Sequence, residues 1–259
     1  MSHEHAPTAP PAPPAAVDRR DVRPQGVDGG MLPSLRPRAT VALVAILLAA
    51  TVVLFGAVVL GLLFVPGARA AAVPVLAAAL VAHPVVMLLT LHLGLRRAGS
   101  GWRDVGLRRP TARMLHLLWQ IPSIFVLLLA VQGAAVAITG APAGRGDAVD
   151  TLFGGTSTVQ IVATFVGVAL LTPLWEEVVF RGLVHGGMRR RLGPLPASLI
   201  SAAIFAACHG VPILLPYMLL LGLSLAYLRE FHRTLWAPVC MHVVLNTAAT
   251  AVTLAAVSG

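Results

Sequence analysis

Charged residues are scarce in this sequence, and their scarcity limits the classes of protein it can belong to. Only 11% of its 259 residues are charged, whereas 57% are hydrophobic, and the mean hydropathy is +0.84. A soluble globular domain typically has about 25% charged residues. The composition therefore excludes an ordinary water-soluble domain and favours a chain whose solvent is the lipid bilayer.

Cysteine is rare and lysine is absent. The two cysteines, Cys208 and Cys240, lie inside apolar stretches; this excludes a disulfide-stapled secreted domain, and we expect both to be buried and reduced. All basic residues are arginines, and the resulting pI of about 11.4 could suggest nucleic-acid binding. The arginines cluster at the ends of apolar segments and in the first forty residues, as cytoplasmic anchors do. We therefore expect no nucleic-acid partner.

Long uncharged stretches are abundant. An α-helix needs about twenty apolar residues to cross a hydrocarbon layer roughly 30 Å thick. The pattern predicts an all-α fold, a polytopic transmembrane bundle of about seven helices, at 40–65, 71–95, 114–138, 157–188, 196–208, 211–228 and 234–257. The fifth and sixth helices are short enough to be a broken pair.

Composition along the chain predicts three regions. Residues 1–38 are rich in Pro, Ala and Arg and cannot bury enough apolar area to fold, so we expect a disordered cytoplasmic tail. Residues 39–154 are expected to form the N-terminal transmembrane helices. Residues 155–257 are expected to form a helical core that carries the function.

Basic residues also predict the orientation. Arginines precede the first helix and follow the second, fourth and sixth, whereas the intervening connections carry little positive charge. The positive-inside rule then predicts a multi-pass plasma-membrane protein with its N-terminus in the cytoplasm and its C-terminus outside. The segment GWRDVGLRRP at 101–110 has an aromatic and an arginine-rich face, so we expect it to lie in the membrane interface.

Two adjacent glutamates lie inside the fourth apolar segment, in TPLWEEVVFRG. An ionisable group at that depth costs several kcal/mol unless it is paired or faces a polar cavity. Glu177 and Arg181 are four residues apart, so we expect the arginine to neutralise Glu177 and hold it in place. Glu176 lies about 100° further round the helix and is the candidate general base. A purely structural role for both carboxylates is the alternative.

Further polar groups lie at a similar depth on other helices. His209 lies in FAACHG, and His242 and Asn246 lie four residues apart in HVVLN, on one helix face. The HGVP sequence should break the helix at His209, and irregular backbone in a membrane is tolerated only beside protein or a water-filled cavity. The sequence thus predicts a polar intramembrane pocket open to the cytoplasm. His185 and His232 lie near cytoplasmic helix ends, where we expect them to be solvated.

Three motifs, EEVVFR, FAACH and HVVLN, resemble in order and spacing those of the CAAX-processing and bacteriocin-immunity family of intramembrane endopeptidases, the CPBP or Abi family. The resemblance covers about residues 155–257. It implies that Glu176 and His209 position and deprotonate a water that attacks a peptide carbonyl. It also implies that His242 and Asn246 donate hydrogen bonds to the developing oxyanion. The residues expected to support this set are Glu177, Arg181 and Phe205.

The resemblance leaves the cofactor and the substrate open. Family members are often called metalloproteases, and one Glu with two His could bind a catalytic zinc ion. The HExxH motif is absent, however, and a water activated by Glu and His needs no metal, so metal-free chemistry is favoured over zinc. The expected partners are the lipid bilayer and a membrane-anchored or prenylated peptide or protein, either CAAX-like or a peptide toxin.

Two other classes of function compete with an endopeptidase. A non-enzymatic bacteriocin-immunity or scaffold protein would be expected to lose part of the polar set, yet all four of its members are present. A channel or carrier would need polar residues through to the outer face, but mainly Val, Pro, Ile and Leu follow His209. Both alternatives are therefore less favoured than proteolysis.

Overall fold

A computed structural model describes residues 35–140 and 158–258 of the chain, and these residues contain helices and turns but no strand. The helices are α1 (Pro37–Phe64), α2 (Ala72–Arg97), α3 (Leu117–Thr139), α4 (Thr158–Leu192), α5 (Pro194–Cys208), α6 (Leu215–His232) and α7 (Trp236–Ser258). The predicted all-α bundle of about seven helices is confirmed. Most of the predicted tail and the connection at 141–157 lie outside the described residues, and the division into three regions stays a prediction.

Five of the described helical segments are long and apolar enough to cross a membrane: Pro37–Phe64, Ala68–Arg97, Ala112–Thr139, Thr158–Leu192 and Pro212–His232. Large apolar side chains on the outer helices face outward; Val41 on α1 is 69% exposed and Ile138 on α3 is 84% exposed. Apolar surface of this extent is stable against lipid and unstable against water. The chain is a multi-pass membrane protein.

The winding of α4 changes around the two glutamates. The α-helical turn Thr172–Glu177 lies between two π-helical stretches, Val166–Leu171 and Val178–His185. Pro173 contributes to the first change, because it lacks the N–H that a regular α-helix needs at that point. Widened π turns shift the facing of all later side chains, and they occur frequently at functional sites.

The break between α5 and α6 lies where the HGVP sequence predicts it. Helix α5 ends at Cys208, Gly210 has a left-handed φ of 64°, and a short 3₁₀ turn over Pro212–Leu214 leads into α6. The two helices then pack closely: a Cβ on Gly222 would lie only 2.9 Å from Ala202 Cα. Small residues permit such close approach between membrane helices, so α5 and α6 form one tightly packed hairpin.

The segment 101–110 is packed more deeply against the helices than we expect of a segment that lies in the membrane interface. Val105 is only 1% exposed, and a Cβ on Gly182 of α4 would lie 2.8 Å from the Val105 carbonyl. The backbone N–H of Leu235 donates to the Gly106 carbonyl at 2.9 Å. The segment thus joins α4 to the turn between α6 and α7, and it supports the core that carries the polar motifs.

Candidate active site

A buried ion pair within α4 anchors the polar cluster. Arg181 Nη1 donates to Glu177 Oε1 at 2.9 Å, and both side chains are 0% exposed. Arg181 Nη2 donates to the Gly222 carbonyl of α6 at 3.1 Å, and the guanidinium carbon lies 4.4 Å from the ring centre of Phe205. Buried charges are stable only when paired and hydrogen-bonded. The expected contact between Glu177 and Arg181 is present and ties α4 to α5 and α6.

His242 of α7 faces both glutamates. Its Nδ1 lies 2.9 Å from Glu177 Oε1, and its Nε2 lies 3.7 Å from Glu176 Oε2. The first distance is a hydrogen bond and the second is too long for one. A separation of this size suits a small bridging group such as a water molecule. His242 therefore connects the paired glutamate to the second one.

Glu176 differs from its neighbour in its contacts. Its side chain is 12% exposed, whereas that of Glu177 is fully buried. Among the described residues, no group donates a hydrogen bond to its buried Oε2 atom; Glu177 Oε2 also has no donor, but Glu177 Oε1 is bonded to both Arg181 and His242. His242 and His209 are both close enough to interact with it electrostatically. Glu176 thus has an acceptor oxygen, Oε2, without a hydrogen bond from the described residues, near the imidazole rings of His242 and His209.

The aromatic ring of Phe205 packs against the basic groups of the site. Phe205 is 0% exposed, and its ring centre lies 4.6 Å from that of His209 and 5.9 Å from that of His242. His209 follows the last residue of α5, and its Nδ1 lies 2.8 Å from the Phe205 carbonyl. A carbonyl oxygen only accepts, so Nδ1–H of His209 donates to it. Phe205 therefore fixes the position of His209 through both its ring and its backbone.

Asn246 lies one turn along α7 from His242. Its Nδ2 donates to the Val168 carbonyl at 3.0 Å, within the first π-helical stretch of α4. The amide nitrogen carries two N–H groups, and this bond uses one of them. The structure thus brings together Glu176 from α4, His209 from the end of α5 and His242 from α7, whereas Asn246 contacts α4 at Val168, eight residues before Glu176.

The same residues are matched by comparison with known proteins. Residues 158–248 match the family model described as type II CAAX prenyl endopeptidase Rce1-like. The matched range contains every side chain of the polar cluster. Over this range, the chain is similar to a family of CAAX prenyl endopeptidases.

The chain is also similar to a curated protein. The chain is 28% identical over 137 residues to a Bacillus subtilis (strain 168) protein named "Putative membrane peptidase YdiL". The alignment covers 51% of this chain and 54% of the relative, so the chain spans about half the length of the curated relative it matches. No solved structure matches the chain.

The positions of the nitrogen and oxygen atoms in the polar cluster bear on the zinc alternative. A catalytic zinc ion requires about three protein ligands that converge on one point. Within 35–140 and 158–258, no three His, Cys, Asp or Glu side chains are placed to hold a metal ion. Nδ1 of His209 and Nδ1 of His242 both have protein partners, which leaves their Nε2 atoms toward the site. The residues as placed do not form a ready ligand set.

Sequence reasoning missed the contact between His242 and Glu177, because periodicity within one helix does not show which helices face each other. It also passed over Trp175, whose indole Nε1 is buried and has no hydrogen-bond partner in the described part of the chain. The Trp175 ring packs edge-on against His83 at 5.3 Å, and His83 Nε2 lies 3.0 Å from Thr51 Oγ1. The sequence signal that could have identified Trp175 was its position directly before the two glutamates.

Three expectations about individual side chains are wrong. His185 and His232 are 1% and 2% exposed rather than solvated, because protein groups replace water around them; His232 Nε2, for example, lies 2.8 Å from Gln120 Oε1. Cys208 is exposed rather than buried, because it lies on an outward face of α5. Apolar sequence around a residue predicts membrane depth and does not distinguish lipid from protein as its neighbour.

Proposed function

We propose that this protein is an intramembrane endopeptidase that hydrolyses a peptide bond of a membrane-bound substrate. The observation that carries the proposal is the buried Glu176 Oε2, which accepts no hydrogen bond from the described residues and faces His242 Nε2 at 3.7 Å. A carboxylate without a competing donor, beside two imidazoles, is suited to activate a water molecule. The match of this core to a family of endopeptidases supports the proposal.

In the proposed reaction, Glu176 and His209 hold a water molecule, and Glu176 removes a proton as the water oxygen attacks the substrate carbonyl. The oxyanion of the tetrahedral intermediate accepts hydrogen bonds from Asn246 and from the doubly protonated ring of His242. The same proton then passes from Glu176 to the leaving amine as the C–N bond breaks. This chain's own residues perform each step, without a covalent intermediate or a metal.

The nearest hydroxyl and thiol groups do not suggest a covalent nucleophile. Ser201 Oγ is buried and donates to the Phe180 carbonyl at 2.8 Å, so it is engaged with the backbone of α4. Cys208 lies on an exposed face of α5. A covalent mechanism needs the nucleophile within hydrogen-bond reach of a base, and neither group has that arrangement. Both observations favour direct attack by water.

We propose a membrane-anchored substrate, either a prenylated CAAX-like protein or a peptide toxin. A groove of about 850 Å³ between α2, α4 and α7 supports this class. Leu88, Trp102, Leu107, Leu174 and Trp236 supply its apolar lining. Leu174 belongs to α4, the helix that also carries Glu176. An apolar groove of this kind suits a lipid-modified or hydrophobic chain.

We also propose a plasma-membrane location with the N-terminus in the cytoplasm and the C-terminus outside. Basic residues end three of the helices: Arg96 and Arg97 on α2, Arg189–Arg191 on α4, and Arg229 on α6. Under the positive-inside rule these ends face the cytoplasm. Successive helices of the bundle then place the end of α7 on the opposite side.

The test is cleavage of a quenched farnesylated peptide by the protein in lipid vesicles, compared with Glu176→Gln. Loss of the general base should lower kcat by about a hundredfold or more, while the isosteric amide leaves insertion and folding intact. Glu230→Gln is the matched control, because Glu230 of α6 is also bonded to an arginine, Arg189 near the C-terminal end of α4.

The outcomes separate the alternatives. Full cleavage by Glu176→Gln would remove Glu176 from the mechanism. Absence of cleavage by the wild-type protein, on farnesylated and unmodified peptides alike, would favour the immunity or scaffold role. A chelator arm tests the metal: activity that persists supports metal-free chemistry, whereas loss of activity that zinc restores would contradict it.

A further inference from the structure

The contacts of Glu177 extend beyond its ion pair with Arg181. Glu177 Oε1 lies 2.9 Å from Arg181 Nη1 and 2.9 Å from His242 Nδ1. We propose that Glu177 is a positioning residue that fixes the His242 ring, with Nδ1–H directed to itself and Nε2 directed to Glu176. The consequence for catalysis rests on the proposed function, whereas the state of the ring can be measured without any activity.

The argument begins with the charge on Glu177. Its partner Arg181 is always protonated in proteins, and both side chains are 0% exposed. A buried carboxylate in contact with a guanidinium is ionised, because only the charged pair compensates the buried arginine. An ionised carboxylate accepts hydrogen bonds and cannot donate them. The hydrogen between Glu177 and His242 therefore belongs to Nδ1 of the histidine.

A hydrogen on Nδ1 determines what the other ring nitrogen does. In a neutral imidazole only one nitrogen carries hydrogen, and the bond made by one nitrogen sets the state of the other. With Nδ1–H held by Glu177, the neutral ring presents a bare Nε2 to Glu176, 3.7 Å away. When the ring takes a second proton, Nε2–H becomes a donor for the oxyanion. The carboxylate of Glu177 stabilises that cation.

His209 provides a useful contrast within the same site. Its Nδ1–H donates to the backbone carbonyl of Phe205 at 2.8 Å, so its Nε2 is likewise the nitrogen left for the site. A backbone acceptor cannot be removed by substitution of a side chain. His242 depends on a side-chain carboxylate instead, which makes its ring orientation the one that mutation can change.

The direct test is ¹⁵N NMR of the histidine-labelled full-length protein in lipid bilayers, with the His242 signals assigned by their loss in His242→Gln. We expect Nδ1 of His242 to be protonated in the wild-type protein, in the neutral ring and in the cation alike. A bare Nδ1 with hydrogen on Nε2 would overturn the proposal, whatever the protein cleaves.

The matched variant is the double substitution Glu177→Leu with Arg181→Met, which removes both charges and leaves no unpaired buried ion. We expect the fraction of His242 rings that are protonated at Nδ1 to fall. We also expect kcat to fall by about ten- to a hundredfold, the loss that is typical when the residue that orients a functional histidine is removed. KM should stay within about twofold, because the change affects the chemical step.

The single variant Glu177→Gln keeps the shape of the side chain but not its charge, and it should shift the ring in the same direction. Unchanged His242 signals in both variants would contradict the proposal. Glu230→Gln should leave the His242 signals as they are in the wild-type protein. If the wild-type protein cleaves no peptide, the NMR comparison still decides the role of Glu177, so the two proposals fail separately.

Discussion

Two clusters of the same three residue types lie along α4, and they differ in burial. The inner cluster is Arg181, Glu177 and His242. The outer cluster is Arg189, Glu230 and His185. In the outer cluster Arg189 Nε donates to Glu230 Oε1 at 2.6 Å, but the two side chains remain 13% and 21% exposed. In the inner cluster the ion pair is fully buried.

The histidines of the two clusters differ in the same way. His185 Nε2 lies 3.6 Å from Glu230 Oε1 and 3.3 Å from Ser198 Oγ, so no single acceptor determines its orientation. His242 Nδ1 makes a 2.9 Å contact with Glu177. Residue type alone therefore does not fix the orientation of a histidine ring. The orientation is fixed where water is excluded and one ring nitrogen makes a short bond to a charged acceptor.

The largest difference between the clusters should appear in stability. Arg181→Met leaves Glu177 buried without its partner, and we expect the free energy of unfolding to fall by about 3 to 5 kcal/mol. Arg189→Met leaves a carboxylate that water reaches in part, so we expect a loss of no more than about 1 kcal/mol. Reversible unfolding in mixed detergent micelles measures both, and equal losses would remove the distinction.

An intermediate effect should appear in the coupling within the inner cluster. Glu177→Ala and Arg181→Ala each break the same ion pair, so their combined cost should be smaller than the sum of the single costs. We expect a coupling free energy of about 0.5 to 3 kcal/mol from the double-mutant cycle. The same cycle on Arg189 and Glu230 should give less. Additive costs in the inner cluster would show that the two residues act independently.

The smallest effect should be the response to salt. Raising the ionic strength from about 0.1 M to about 1 M shortens the Debye length from roughly 10 Å to 3 Å. The partly exposed pair of Arg189 and Glu230 should then contribute less, so Glu230→Gln should cost less stability at high salt than at low salt. The cost of Arg181→Met should be unaffected. Salt dependence in the inner cluster would indicate that water reaches it.

Features that depend on neighbours along the chain could be predicted from the sequence. The helices follow from apolar length, the break after His209 follows from Gly210 and Pro212, and the pairing of Glu177 with Arg181 follows from their spacing of four. Each is a local property, set by helix geometry and backbone preference. The chemistry expected of the three motifs came from their resemblance to a family.

Features that depend on how helices face one another could not be predicted in the same way. The bond from His242 to Glu177 joins residues 65 positions apart, and the bond from Asn246 to Val168 joins residues 78 apart. Both also depend on the π-helical winding of α4, which rotates side chains away from the 3.6-residue period used to read the sequence. The periodicity of the sequence therefore predicts neither the contacts between helices nor the π-helical winding.

The two π-helical stretches of α4 have a consequence for how this site can evolve. A π turn holds about one more residue than the α-helical turn it replaces, so we expect a one-residue deletion there to rewind the stretch rather than break the helix. Because the shorter turn still covers 360°, side chains beyond the deletion would keep their facing, and those inside the stretch would move. A deletion in Val166–Leu171 would move Val168 relative to Asn246 and leave the three motifs unchanged, whereas a deletion before Arg181 in Val178–His185 would shorten the EEVVFR motif. The number of residues in these turns therefore matters for the site as much as their identity. During evolution, the gain or loss of one residue could change the geometry of the site while every motif stays intact.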